Sequence, residues 1–240
     1  MGGSKGAEDS GIDWDQCREL FAQGWGTVVR FADLLRTLGV ERGLIGPKEG
    51  PRLWSRHLVN CAALVPLLPD GATVIDVGSG AGLPGVVIAA VRLDLAVELV
   101  EPMERRVGWL REVVETLGLE NVTVTRARAE ELAGGRRVDA VVARAVAPLG
   151  RLAAWSAPLL GVDGQLLALK GRRVRAEVES AQVELHRCGL GDADVMELRP
   201  LRSVEPTYVA RARVVHVSRE TRGVDVGGTR YDRPTVPTRR

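Results

Sequence analysis

Two carboxylates and a run of glycines carry the first chemical signal in this chain. Asp76 lies in a short β-branched run, Thr73-Val-Ile-Asp-Val77, and glycines 78, 80 and 82 follow directly before Leu83 opens a helical pattern. That order of residue types builds a buried parallel strand, a tight turn and a helix. Main-chain N–H groups at a helix start can be approached by a ligand only where no Cβ intervenes, which is the physical task of such glycines. The stretch Gly80-Ala-Gly-Leu-Pro-Gly85 also satisfies the dinucleotide pattern G-x-G-x-x-G, so a nicotinamide cofactor is one reading. Asp76 speaks for another. A carboxylate at the mouth of the strand repels a pyrophosphate but attracts the cationic sulfonium and amine of S-adenosylmethionine (AdoMet). Glu101 closes the next apolar run, Val97-Glu-Leu-Val100, where a carboxylate can accept both ribose hydroxyls of an adenosine. Together the two acids favour AdoMet over NAD.

The elements that must position these residues alternate along the chain. Helix Leu83–Arg92, strand Val97–Val100, helix Arg105–Leu117 and strand Val122–Thr125 come first. Strand Asp139–Ala143, helix Leu149–Leu160, strand Gln165–Leu169 and a charged helix from about Arg173 to Arg187 follow. Alternation with short connections predicts an α/β fold with a mostly parallel, doubly wound sheet and a ligand at the carboxyl ends of its strands. Val195–Leu198 and Tyr208–Val217 alternate well enough for a closing antiparallel pair. Upstream, Phe21, Trp25, Val28, Phe31, Leu35 and Leu38 make one helical stripe, and Leu53 to Val65 a second, ended by Pro66 and Pro69-Asp-Gly71. These helices are expected to flank the sheet as a cap over 12–70, either purely structural or, through Arg52 and Arg56, helping to hold the substrate. The cofactor-binding part spans 71–217. Residues 1–11 are read as disordered, and 218–240, rich in Gly, Pro and Arg without apolar periodicity, as a disordered basic tail.

Composition sets the bounds. At 240 residues, 45% hydrophobic, the chain can bury one good core with a small helical appendage. Net charge is only +2, yet basic residues cluster at Lys170-Gly-Arg-Arg173, Arg175, Arg199, Arg202, Arg211, Arg213 and in the tail, a distribution that suits a local anionic partner. There is no apolar run long enough to span a bilayer and no signal-peptide pattern, so a cytoplasmic protein without membrane contact is expected. Cys17, Cys61 and Cys188 are too few and scattered for a disulfide framework. His57 with Cys61 and His186 with Cys188 invite a metal site, but no paired C-x-x-C or H-E-x-x-H spacing supports one, and no metal is expected.

The run TVIDVGSGAGLPG, Arg56-His57 upstream of it, Arg128-Ala-Glu-Glu131 after the third strand, Val142-Ala-Arg-Ala145 after the fourth and Leu169-Lys-Gly171 after the fifth together resemble the RsmG (GidB) family of 16S ribosomal RNA guanine-N7 methyltransferases. The resemblance covers roughly 20–217. It implies a Rossmann-like class I AdoMet-dependent methyltransferase acting on a guanine N7 in the decoding-centre loop of 16S rRNA, on naked RNA or on a 30S subunit or assembly particle, as a monomer. Gly78 and Leu83 would then contact AdoMet through the glycine turn, with Asp76, Gly80, Gly82 and Glu101 around it. Ala129 and Glu130 would flank the adenine, and Arg144 would sit by the methionine end or the target. Arg56, His57, Lys170, Arg172 and Arg173 would hold RNA. This chain departs from the family at Gly43-Leu-Ile-Gly-Pro-Lys-Glu-Gly50, in place of an Asn-Leu-Thr segment, and in the ending of its last strand.

The chemistry also narrows by elimination. Enzymes that methylate exocyclic base nitrogens place an N/D-P-P-Y/F motif after the fourth strand, where this chain has Ala143-Arg-Ala-Val-Ala-Pro148. A pyrimidine C5 enzyme needs a cysteine nucleophile near the cofactor, and no cysteine lies between Cys61 and Cys188. Guanine N7 presents an unprotonated lone pair, so transfer needs only in-line placement and exclusion of water. An arginine at the motif position suits this, since it can donate to guanine O6 or a phosphate without taking a proton. A methyltransferase of the same fold with a small-molecule or protein acceptor stays open, as does an NAD-binding or non-catalytic module.

Overall fold

Parallel pairing of short apolar runs dominates the architecture. In the computed structural model, which describes residues 9, 11–132 and 137–215, strands β1 (Thr73–Val77), β2 (Ala96–Val100), β3 (Val122–Thr125), β4 (Val138–Arg144) and β5 (Leu160–Lys170) lie parallel. Strands β6 (Asp194–Leu198) and β7 (Thr207–Arg213) close the sheet as an antiparallel pair. The strand order is β3-β2-β1-β4-β5-β7-β6. Order reverses between β1 and β4, and a doubly wound sheet opens its ligand crevice there, at the carboxyl ends of the strands.

Period-two alternation sorts side chains onto two cores. Val74, Val142, Leu167 and Leu169 face one; Ile75, Val141, Ala143, Leu166 and Ala168 face the other. The first core is shared with α1 (Trp14–Phe21), α2 (Trp25–Leu34), α3 (Val59–Ala62), α4 (Gly85–Val91) and α5 (Glu104–Leu117), so the N-terminal helices bury their stripe against the same layer that carries α4. The second core lies under α6 (Leu149–Ser156) and α7 (Val174–Arg187). Asp76 and Arg144 share strand parity with Val74 and Val142 and therefore point to the first layer; Lys170 shares parity with Ala168 and points to the second.

The long N-terminal stripe is not one helix. Asp13 caps α1 through Asp15 and Gln16, a 3-10 turn at Ala22–Gly24 interrupts it, and a π turn at Leu35–Gly39 prolongs α2. Packing explains the break: a Cβ on Gly24 would lie 2.4 Å from the Ala90 carbonyl oxygen, so the turn is where the cap closes onto α4. A π turn at Trp54–Leu58 runs into α3, and buried Asp9 accepts the amides of Trp54 and Ser55 at 3.2 and 3.0 Å. The helix after the glycines begins at Gly85, two residues later than expected, and β5 starts at Leu160, five residues earlier. Most of the termini read as disordered, residues 1–8, 10 and 218–240, lie outside the described residues.

Candidate active site

Val77 delivers the chain into a turn that only glycine adopts without strain. Gly78 and Gly80 have φ of +70° and +55°, and Gly82 +100°. The Gly78 and Ser79 amides donate to Val100 O, and the Ser79 hydroxyl donates to Asp76 O at 2.9 Å. Glu101, 2% exposed, spans the turn: one carboxylate oxygen accepts Gly80 N and the other Met103 N, each at 3.0 Å, with Arg106 3.7 Å away. Each oxygen keeps a lone pair beyond its backbone bond. The two later glycines differ. A Cβ on Gly80 meets nothing nearer than Gly78 O at 3.7 Å, whereas one on Gly82 would strike Val86 at 2.8 Å and Phe31 at 3.1 Å. Gly80 thus faces open space, and Gly82 is required by the core. Leu83 is buried in that same core.

Asp76 stands elsewhere than a carboxylate at the mouth would. It is fully buried, one oxygen accepts Gly85 N at 2.9 Å, and the other has no partner among the described residues. Burial pushes its carboxyl up to about 7. Its role as placed is to anchor the first turn of α4 under the glycines, close to the site but turned from solvent.

A cleft of about 130 Å³ opens beside the turn, lined by Val77, Gly78, Val100, Pro102, Ala127, Arg128, Ala129, Glu130, Val146 and Trp155. Ala129 is buried and Glu130 exposed. Val146 lies over Gly78, where an added Cβ would come within 2.8 Å of it. Apolar walls in the cleft, and beside it a buried carboxylate with spare acceptor capacity and a turn without Cβ atoms, are features that fit AdoMet.

Arg144 ends β4, the strand next to β1 in the sheet. Its guanidinium donates to Nδ1 and the carbonyl oxygen of His57 and lies 3.6 Å from Cys61 Sγ. His57 Nε2 contacts Glu49 Oε2 at 2.5 Å. The His57 side chain is 12% exposed and engaged by Arg144 and Glu49, not presented to an RNA surface as expected. Its pKa is lowered by burial first and by Arg144 second, while Glu49 opposes both. Cys61 is adjacent to Arg144, although far off in sequence; burial raises its thiol to about 11, which disfavours the thiolate. The four-residue spacing of His57 and Cys61 does mark one helix face, and that face meets Arg144. Among the described residues no group of three or more His, Cys, Asp or Glu is placed to hold a metal.

The expected RNA residues divide. A groove of about 440 Å³ between the cap and the starts of β7 and α7 gathers Arg52, Arg56, Asn60, Arg172, Glu205 and Tyr208. Arg172 is exposed and forks onto both oxygens of Glu205 at 2.7 Å. Arg173 is exposed at the start of α7. Lys170 lines the groove too, yet its ammonium is turned away, to Ala147 O at 2.8 Å and Glu177 Oε1 at 2.6 Å, as its strand parity requires. There it ties the loop after β4 to α7. Glu49, Asn60, Glu177 and Glu205 carried no motif; only folding brings them to the site.

A doubly wound seven-stranded sheet with this glycine turn and its acidic partner at the switch point defines a class I AdoMet-dependent methyltransferase. A solved SAM-dependent O-methyltransferase from Thermotoga maritima shares the fold with a TM-score of 0.54 at 19% identity, over 77% of this chain and 71% of that one. Residues 26–203 match the family model GidB, described as rRNA small subunit methyltransferase G. Proteins called ribosomal RNA small subunit methyltransferase G are 51% identical over 209 residues in Beutenbergia cavernae (87% of this chain, 99% of that protein) and 53% identical over 200 residues in Thermobifida fusca (83% and 84%). The chain belongs to the rRNA small subunit methyltransferase G family.

Proposed function

We propose that this enzyme methylates N7 of a guanine in the decoding-centre loop of 16S rRNA, on the 30S subunit or a particle assembling into it, as a cytoplasmic monomer. The observation that supports the reading is Arg144 at the end of β4, a group with donors only, bonded to the His57 imidazole, which suits an acceptor base. AdoMet, when bound, supplies a methyl group on a sulfonium. Glu101 and the Gly78–Gly80 backbone would hold its nucleoside, and the apolar loop at Val146 would keep water from the reacting atoms. No side chain has to remove a proton, because guanine N7 enters with a free lone pair. Arg144 keeps N–H donors beyond those given to His57 and Cys61, enough to hold guanine O6 or a flanking phosphate. The groove of Arg52, Arg56 and Arg172, with Tyr208, offers cations for phosphates and a ring for a splayed base. Incubating 30S particles from cells lacking the enzyme with labelled AdoMet and mapping the product by N7-methylguanine-specific strand cleavage tests this. A single N7 site in 16S rRNA is expected; label on another atom or on protein overturns it.

A further inference from the structure

Glu49 and His57 form a chain that ends at the candidate acceptor-holding arginine, 87 residues beyond His57. Glu49, in the 3-10 turn Pro47–Arg52, contacts His57 Nε2; His57 Nδ1 meets Arg144, and Cys61 packs on the same guanidinium. The hydrogens follow from the partners. Arg144 has donors only, so Nδ1 must accept; Glu49 is an acceptor, so Nε2 carries the hydrogen. The ring is neutral in this arrangement. We propose that Glu49 and His57 are positioning residues for methyl transfer: Glu49 fixes the ring, and the ring fixes the Arg144 guanidinium at the end of β4. The proposal rests on the role given to Arg144 above.

Protonating His57 puts an N–H and a positive charge against Arg144, so the guanidinium must leave its place. Activity therefore has an acid limb set by His57. The charged groups around the ring are Glu49 from the turn below, Arg56 on its own helix, and Arg144 from β4; Cys61 on the next turn stays neutral. Burial and Arg144 hold His57 below its ordinary value, and Glu49 pulls it back up, so replacing Glu49 by a neutral amide moves the limb to lower pH.

The test is kcat and KM for AdoMet against pH, with 30S particles as acceptor, for the wild type, Arg144→Ala, His57→Ala, His57→Asn and Glu49→Gln. Arg144→Ala and His57→Ala should each lower kcat about 100-fold, the scale of a misplacement of about 1 Å, with KM for AdoMet within about twofold. His57→Asn keeps an acceptor toward Arg144 and should retain most turnover while losing the acid limb. Glu49→Gln keeps an acceptor for the Nε2 hydrogen and should shift the limb acidward. If His57→Ala does not fold, the limbs of the Asn and Gln variants still decide. A limb unchanged in His57→Asn, or wild-type kcat in His57→Ala beside a disabled Arg144→Ala, overturns the positioning role alone. Wild-type turnover by Arg144→Ala overturns the acceptor role of Arg144 and the positioning proposal with it.

Discussion

Asp76 Oδ2 accepts the amide of Gly85, nine residues on, at 2.9 Å, while Asp76 Oδ1 lies buried without a partner among the described residues. The carboxyl's folded value, about 7, stands above its unfolded 3.8. Stability from this group is therefore fully present below about pH 4 and is lost as pH rises through 7, at up to about 1.4 kcal/mol per pH unit across that window. Asp76→Asn removes the titration and keeps an acceptor for Gly85. Urea denaturation should find the variant gaining on the wild type between pH 5 and pH 8; parallel pH dependences would show that the carboxyl ionises freely.

Gly80 and Gly82 look alike in the motif and should behave oppositely. Gly80→Ala places its Cβ in open space and costs only the strain of a left-handed residue, about 1–2 kcal/mol, in a chain that still folds but loses AdoMet. Gly82→Ala combines a φ of +100° with overlap of Val86 and Phe31 and should destabilise by about 3 kcal/mol or more. Thermal denaturation beside calorimetric AdoMet titration separates the two; equal melting losses would put both glycines in one role.

Much of this fold is legible because its strands are short β-branched runs between turn residues: β3 falls on Val122–Thr125 as the pattern predicts, and the alternation implies the doubly wound order. What escapes is set by packing. Gly24, a helix breaker by propensity, is a close contact on Ala90, and Gly161 and Gly164 look like a turn but sit inside β5 because pairing with β4 begins at Leu160. Site residues escape for a related reason. Strand parity, not charge, turns the Lys170 ammonium away from the groove, and His57, within the stripe from Leu53 to Val65, gains its partner Arg144 only when the cap is folded onto β4. Glu49 has no periodic or motif relation to Arg144; the link exists only through His57.

Glu101 is buried with both oxygens engaged by backbone amides, so its replacement has two separable effects. Glu101→Gln must turn an NH2 toward either Gly80 N or Met103 N, a donor facing a donor, and loses an acceptor for the ribose. AdoMet binding should weaken by about 1–3 kcal/mol. Calorimetry showing unaltered affinity would place the ribose away from Glu101.

The fork between Arg172 and Glu205 makes the two residues opposite probes of the groove. Both are exposed, so the pair is worth little to the fold, and each 2.7 Å bond is replaceable by a phosphate oxygen. Glu205 therefore competes with RNA for Arg172. Arg172→Ala should weaken RNA binding and flatten its log–log salt dependence by about 0.7–0.9, the loss of one phosphate contact. Glu205→Gln frees the arginine and removes a negative charge from the groove, so it should tighten binding without flattening that slope. Loss of a merely stabilising surface pair would affect both variants alike, through melting temperature and not through salt. Filter binding of a 16S rRNA fragment from 50 to 200 mM salt reads both slopes, and coincident lines for the wild type and both variants would remove this groove from the RNA path.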